Sequence, residues 1–492
     1  MSKRNLAIVG LLLLLFWTRL HGLTALPLHN DEGLHLTRAV EVWKLHPFWD
    51  LSDGEIINHW LIAAFYPQNA GDFAGRIATV FVALIGMAAG IALLRRTIGD
   101  LAAGVGAVMW LLTPTLFFYE RLALSNAQAA ALAVLALWAA LRLARTGKRS
   151  DAILTGIGLT LAILFNSTAA PFAFSVVVIV LLAGEQPLRR RVTNLLIVAV
   201  VGIAGFAVPL AYSLLRGHGF GIAFDWLGTV DSTSSDSMAR LLQFLVEFGG
   251  YAWWWLLVAG LILLPLVALT LPGIQRRELI ILWIAGLLPT LTIVLVGKEI
   301  MPRHLITGLP ILVLLAGAGI ATLLQWIARY APLRLLARFA VMLIVGWLLY
   351  DGATYFDSAY NAPDEVSLPP LDSAQFITDH SSGFGLREAA RSFPQTVPAD
   401  APIFASMFPD SCRRTNFYAP TTQQMVCSDA PGEDRLRQLM AERGTVYVLV
   451  QAPPIGLDMT AIFGAQATLI ASYPRPGETE NSASVRLWRI GD

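Results

Sequence analysis

Charged residues are scarce in this sequence. They make up 14% of its 492 residues, against about 25% in a typical soluble protein. The net charge is +1, and there is neither a basic tract nor a low-complexity segment, so the charge gives no indication of nucleic-acid binding. The absence of an internal repeat argues against a transporter built from repeats. Because 56% of the residues are hydrophobic, the composition predicts a polytopic α-helical membrane protein.

Long apolar runs are abundant and predict about eleven transmembrane helices. The first run follows Lys3 and Arg4, as in a signal peptide, but residues 20–28 lack a small-residue cleavage pattern, so we interpret it as an uncleaved span. The predicted spans lie near residues 6–25, 76–95, 102–119, 124–143, 151–167, 170–184, 193–215, 248–271, 279–297, 304–327 and 338–354.

Lysine and arginine are distributed unequally between the loops that join these spans. One set of loops, including 95–96, 142–149 and 189–191, holds most of them, and the positive-inside rule places that set in the cytoplasm. With an odd number of spans, the N-terminus is cytoplasmic, whereas the C-terminus and two long loops, 26–75 and 216–247, lie outside. The sequence therefore predicts a multi-pass protein of the plasma (inner) membrane.

The composition changes after residue 355, where proline and charged residues become more frequent and apolar runs shorten. We therefore predict a transmembrane domain, 1–354, and a small extracytoplasmic α/β domain, 355–492. The predicted strands are 402–407, 445–451, 467–473 and 484–490, and the predicted helices are 385–393 and 432–443. The two cysteines, Cys412 and Cys427, either form a disulfide in an oxidising compartment or remain as buried thiols.

Polar residues gather in four clusters on the predicted outer side. Charge near lipid is costly, at about 2.5–3.5 kcal/mol for an Asp at the bilayer centre, so water, an ion or a substrate must compensate it. The clusters are Asp31 and Glu32 with His29 and His35; Asp53 and Glu55 with Asn58 and His59; Glu120 and Arg121 with Ser125 and Asn126; and Lys298 and Glu299 with Arg303 and His304.

Carboxylates and cations on one face suit a lipid substrate that carries a phosphate. Cations would hold the phosphodiester and stabilise the charge that grows on the leaving phosphate. A carboxylate would take a proton from the incoming hydroxyl or amine and would stabilise the oxocarbenium character of the sugar carbon.

Each cluster also has a structural interpretation. Asp31 and Glu32 are suited to the start of a helix, and Asp53 and Glu55 to a turn. The pair Glu120 and Arg121 is typical of an interfacial ion pair, and the basic residues 298 and 303 are typical of helix-end anchors. A divalent metal is a further possibility, with His29, His35 and His59 as weak candidate ligands, because their spacing matches no tight ligand motif.

In their order and placement, these motifs resemble the GT-C superfamily of polyprenyl-phosphate-dependent glycosyltransferases, near the protein O-mannosyltransferase and lipid A aminoarabinose transferase branch. The resemblance covers about residues 1–350. It rests on His29-Asn30-Asp31-Glu32-Gly33; Asp53-Gly54-Glu55 through His59-Trp60, then Gly75-Arg76; Pro114 through Tyr119-Glu120-Arg121 to Ser125-Asn126; and Lys298 through Pro302-Arg303-His304-Leu305, then Pro310.

The resemblance implies a multi-span helical fold and transfer of a sugar from a polyprenyl-phosphate donor, with inversion, to a glycan, lipid or protein acceptor. It implies that Asp31 is the catalytic base or acceptor-positioning acid and that Glu32 is its partner. Relatives often carry Asp at the position of Asn126 and a small polar residue at the position of Glu120, so Glu120 is a further catalytic candidate that would replace the acid at 126. Relatives also often carry Lys at the position of Glu55. The implied donor-phosphate contacts are Arg121, Lys298 and Arg303, and the acceptor-side or secondary candidates are His29, Asp53, Glu55, His59, Asn126 and His304.

Two other functions remain open at this level. A transporter or flippase of lipid-linked glycans should carry ionisable residues at mid-depth in its spans, but here the charges gather at the outer ends. A non-catalytic scaffold that binds envelope glycans through the C-terminal domain would not depend on Asp31. The membrane position of the charges favours the enzyme.

Overall fold

The computed structural model describes residues 3–46, 55–67, 71–217, 239, 252–297, 301–406, 411–420, 423–428, 432–451 and 457–491. The predicted second outer loop, 216–247, lies almost wholly outside these residues. Contacts divide the chain into two compact units. The helical unit comprises Met1–Leu23, Phe48–Leu61 and Arg76–Asn361, and the sheet unit comprises Thr24–Pro47, Ile62–Gly75 and Ala362–Asp492. Parts of the first outer loop are thus grouped with the C-terminal region.

The α-helices of the chain vary widely in length. They are α1 (Lys3–Leu20), α2 (Asn30–Trp43), α3 (Ile56–Ala63), α4 (Gly71–Thr97), α5 (Asp100–Leu112), α6 (Pro114–Tyr119), α7 (Ser125–Thr146), α8 (Arg149–Phe165), α9 (Phe172–Val178), α10 (Leu188–Leu215), α11 (Ala252–Ala268), α12 (Gly273–Val296), α13 (Pro302–Leu305), α14 (Leu309–Ile327), α15 (Arg334–Asn361), α16 (Pro370–Ser373), α17 (Leu386–Thr396), α18 (Ser411–Tyr418), α19 (Glu433–Arg443) and α20 (Met459–Phe463).

Six helices in the described part of the chain are long and apolar enough to cross a membrane: α4, α7, α10, α12, α14 and α15. Three shorter apolar helical segments accompany them, at Asp100–Leu112, Ser167–Ala183 and Trp253–Ala268. The predicted span 102–119 is interrupted, because Pro114 starts a new helix, α6, after the extended residue Thr113. The chain is therefore a polytopic α-helical membrane protein, as its composition predicts.

Small residues allow the helices of the helical unit to pack closely. A Cβ added to Gly317 of α14 would lie 2.7 Å from the Cα of Gly106 in α5. One added to Gly319 would overlap the carbonyl oxygen of Gly260 in α11, so α14 contacts a neighbouring backbone on two sides. Close backbone approach of this kind replaces the hydrophobic effect as the cohesive force between helices in lipid.

The sheet unit contains a mixed five-stranded sheet of order β2-β1-β3-β5-β4. Its strands are β1 (Ile403–Ser406), β2 (Met425–Ser428), β3 (Val446–Gln451), β4 (Ala467–Tyr473) and β5 (Val485–Ile490). β1 pairs in parallel with β2 and β3, whereas β5 pairs antiparallel with β3 and β4. The four predicted strands and the two predicted helices, α17 and α19, are confirmed; β2 was not predicted.

Alternate residues of the strands face two different cores. Ile403 packs with Phe393 of α17 on one face, and its neighbour Phe404 packs with Leu436 of α19 on the other. Cys412 of α18 is buried in the first core and forms a disulfide with Cys427 of β2, with the two Cα atoms 5.6 Å apart. The predicted disulfide is therefore confirmed, and the alternative of two buried thiols is wrong.

Candidate active site

The acidic segment of the sheet unit forms the first turn of α2. His29 is the N-cap: its Nδ1 accepts a hydrogen bond from the backbone N–H of Asp31 at 3.2 Å, while its own N–H donates to Glu32 Oε2 at 2.9 Å. This reciprocal capping box satisfies backbone donors that the start of a helix otherwise leaves without partners. The His29 ring also packs on Phe376, with 4.7 Å between centroids.

The two carboxylates of this turn occupy different environments. Glu32 is fully buried, whereas the Asp31 side chain is 35% exposed. The structural interpretation of the pair as a helix start thus holds for Glu32, which is committed to the cap. Asp31 is the member of the pair that solvent or a substrate can reach.

In the helical unit, Glu120 lies in a buried ion pair. It is 2% exposed, and its Oε2 accepts from Arg19 Nε at 2.8 Å. Its Oε1 accepts from Trp110 Nε1 at 2.6 Å. Arg19, fully buried at the end of α1, also donates to the carbonyl of Leu111 at 2.9 Å. With both oxygens engaged, Glu120 serves here to join α1 to α5 and to the segment after α6; its catalytic assignment stays a prediction.

Arg121 is also buried. Its guanidinium donates to the carbonyls of His21, at 3.0 Å, and of Gly22. It lies over the rings of Phe117 and Tyr360, 4.6 and 5.0 Å from their centroids. Burial lowers the pKa of Arg121 to about 10, so the side chain remains charged at neutral pH. These contacts hold the chain that follows α1.

A second buried polar network surrounds Glu55. Its Oε1 accepts from Ser125 Oγ at 2.5 Å and from Asn166 Nδ2 at 3.0 Å. Asn166 Oδ1 accepts from Thr168 Oγ1 at 2.6 Å, and Thr168 Oγ1 lies 2.7 Å from Thr307 Oγ1. The network connects the segment before α3, the start of α7, the α8–α9 turn and the α13–α14 turn. Sequence reasoning missed this network, because Asn166 lies 111 positions from Glu55 and Thr307 lies 139 positions from Thr168.

The remaining predicted residues are placed as follows. His59, in α3, and Asn126, in the first turn of α7, are buried. Arg303 and His304 are half-buried in the short helix α13. Asp53 and Lys298 lie outside the described residues. Within the described ranges, no group of three or more His, Cys, Asp or Glu side chains is arranged to hold a metal ion.

Comparison with solved structures identifies the class of fold. The described chain superimposes on the crystal structure of ArnT from Cupriavidus metallidurans bound to undecaprenyl phosphate, with a TM-score of 0.62, 14% identity, and coverage of 99% of this chain and 98% of that chain. The apo-state crystal structure of the same ArnT matches with a TM-score of 0.59 at 14% identity, covering 99% of this chain and 97% of ArnT. The arabinofuranosyltransferase AftD from Mycobacteria matches with a TM-score of 0.50 at 15% identity, covering 100% of this chain but 42% of AftD. The chain therefore has a GT-C-like fold.

The sequence comparison gives a narrower match. The family model for dolichyl-phosphate-mannose-protein mannosyltransferase matches residues 52–212. That range contains Glu120 and the Glu55 network as far as Thr168, but not Thr307, the acidic turn of α2 or α13. No curated protein matches the chain significantly. Together with the fold, the partial family match confirms the predicted resemblance to membrane glycosyltransferases of the GT-C superfamily.

Proposed function

We propose that this chain is a membrane glycosyltransferase that moves a sugar from a polyprenyl-phosphate donor to an acceptor hydroxyl or phosphate, with inversion at the sugar carbon. The observation that carries the proposal is the capped turn at the start of α2, in which Glu32 is buried while Asp31 is left partly exposed. Support also comes from the fold, which resembles that of a protein crystallised with undecaprenyl phosphate.

In the proposed reaction, Asp31 is the general base. Its carboxylate takes the proton of the acceptor hydroxyl, the acceptor oxygen bonds to the sugar carbon, and the bond from that carbon to the phosphate oxygen breaks. The polyprenyl phosphate leaves with the electron pair, and its charge is stabilised by cations, for which Arg303 and Lys298 are the proposed groups. Glu32 contributes by holding the turn in place.

The buried candidates receive supporting roles in this proposal. The contacts of Glu120 and Arg121 favour packing of α1 over direct contact with the donor. Glu55 and Asn126, with His59 and His304, remain proposed acceptor-side or secondary residues, as does Asp53.

The proposal includes a membrane arrangement. Eleven spans place the N-terminus in the cytoplasm, and the turn of α2 and the C-terminal α/β domain on the outer face of the plasma membrane. The unequal distribution of Lys and Arg between the loops supports this orientation. The acceptor is then a protein, a lipid or a growing envelope glycan on that face.

The test replaces Asp31 in cells that lack the native gene. Mass spectrometry of the envelope glycans first identifies the sugar that the deletion removes and the parent gene restores. Asp31→Asn should lower that product at least about 100-fold, the contribution of a positioned general base. Asp458→Asn, which changes a helix-capping acid of α20, is the matched control and should restore the glycan fully.

Two results would contradict the proposal. Full restoration of the glycan by Asp31→Asn would exclude Asp31 as the general base. An unchanged glycan profile in the deletion strain would contradict the transferase function itself. Accumulation of the lipid-linked sugar on the cytoplasmic face alone would indicate the transporter instead, since a transferase acts after the donor has crossed the membrane.

A further inference from the structure

One helix of the sheet unit holds the backbone just before the acidic turn. The N–H of Leu28 donates to Tyr418 Oη at 2.7 Å, and the carbonyl of Leu28 accepts from Arg414 Nη1 at 3.3 Å. Arg414 and Tyr418 are four residues apart in α18 and therefore lie on the same helix face. Both polar backbone groups of Leu28, the residue that precedes the N-cap His29, are thus bound by this face.

Arg414 also reaches two other carbonyls. Its Nη1 donates to Ser381 at 2.8 Å, and its Nη2 donates to His380 at 3.1 Å. Its side chain is 1% exposed, although a guanidinium is strongly solvated in water. Carbonyl partners on two separate segments, at Leu28 and at His380–Ser381, compensate that burial.

The glycine of the acidic motif gives this arginine its space. A Cβ added to Gly33 would overlap Cγ of Arg414, and it would lie 3.3 Å from Cδ. Gly33 is in α2 without a positive φ, so backbone conformation does not require glycine there. Close packing of the Arg414 side chain explains why the residue that follows Glu32 is a glycine.

The helix that carries these side chains is itself fixed. Cys412, two residues before Arg414 on α18, is disulfide-bonded to Cys427 of β2. β2 pairs with β1, in register from Ile403 to Ser406. The disulfide and the sheet therefore determine the position of α18 within the sheet unit.

We propose that Arg414 and Tyr418 position the catalytic turn, so that the C-terminal region sets the orientation of Asp31. This inference rests on the proposed function. Arg414 is a positioning residue: it contacts the backbone at Leu28 and the α-carbon side of Gly33, and it acts on transfer through Asp31. A misplacement of about 1 Å of a reacting group costs on the order of 100-fold in rate.

The first experiment measures hydrogen exchange of the purified full-length chain, without any ligand. Arg414→Gln should increase amide exchange in a peptide covering residues 28–34, and Gly33→Ala should do the same by pushing on the arginine from the other side. Arg437→Gln is the control, because Arg437 is an exposed arginine of α19 paired with Glu433. Unchanged exchange in both test variants would overturn the contact as a positioning device.

The second experiment measures the glycan that the parent gene restores, per amount of protein in the membrane. Arg414→Gln and Gly33→Ala should each lower it about 10- to 100-fold. Arg414→Lys should recover part of the loss, because lysine keeps an aliphatic stem and a positive charge but, without the guanidinium fork, cannot reach all three carbonyl groups at once. Equal product from Arg414→Gln and the parent would overturn the inference, even where exchange has increased.

The two experiments separate the inference from the function on which it rests. A parent gene that restores no glycan contradicts the proposed transferase. The exchange measurement does not depend on activity, so it still decides whether Arg414 and Gly33 fix the turn.

Discussion

At the residue scale, the two acidic residues of α2, Asp31 and Glu32, differ in burial. Glu32 is buried in the capping box, and a glutamine can accept the same hydrogen bond from the N–H of His29. A carboxylate needed as a base cannot be replaced in this way. We therefore expect the same acid-to-amide substitution to lower transfer activity strongly at Asp31 and only slightly at Glu32.

We expect Glu32→Gln to keep most of the transfer activity and Glu32→Ala to lose most of it. The alanine variant leaves the N–H of His29 without its partner, at a cost of about 1 kcal/mol, and releases the turn that presents Asp31. Product formation in the complementation assay checks both variants. Equal and complete loss in Glu32→Gln and Glu32→Ala would assign the charge itself, rather than the cap, to the function.

At the element scale, the Arg19–Glu120 pair connects α1 to the middle of the helical unit. Both side chains are almost completely buried, and the Trp110 indole and the Leu111 carbonyl satisfy further hydrogen-bonding groups. Removing one charge leaves the other buried and uncompensated, whereas removing both leaves an apolar contact.

We therefore expect Glu120→Leu alone to destabilise the protein by about 3–5 kcal/mol. The double variant Arg19→Met with Glu120→Leu should recover much of that loss. Thermal unfolding in detergent, read as a double-mutant cycle, measures the coupling. The exposed pair Arg437 and Glu433 is the control, and its removal should cost less than about 1 kcal/mol. Additive effects at Arg19 and Glu120 would show that the two side chains do not stabilise each other.

The same scale shows what the sequence predicts well. The strands at 446–451, 467–473 and 485–490 follow from alternation and β-branched residues, because each pattern is local. β2 was missed, since its four residues are half exposed at the edge of the sheet and carry no clear alternation. The break at Pro114 was not predicted, because a helix break inside an apolar run leaves the hydropathy of the run unchanged.

The candidate site shows the complementary limit. Asp31 and Glu32 stand out from their neighbours in the sequence, but their different burial follows from the capping box, and that is a three-dimensional fact. Arg19 reads as one arginine in an apolar run, since its partner Glu120 lies 101 positions away. Arg414 contacts Leu28 across 386 positions, so no local pattern could have linked them.

At the scale of the whole molecule, the proposed orientation is open to direct measurement because the chain has no free thiol. Its two cysteines form a disulfide, so a single introduced cysteine reports its own side of the membrane. Ser150, in the first turn of α8, and Asn481, between β4 and β5, are both exposed. In the proposed orientation, Ser150 lies in the cytoplasm and Asn481 lies outside, as the excess of Lys and Arg and an odd number of spans predict.

We expect a membrane-impermeant maleimide to label Asn481→Cys in intact cells. Ser150→Cys should be labelled only after the membrane is permeabilised. Both variants should react fully in detergent, which controls for burial of the thiol, and the parent should not react under either condition. Labelling of both positions from the same side would contradict the odd number of spans and, with it, a C-terminal region that lies on the same face as the proposed chemistry.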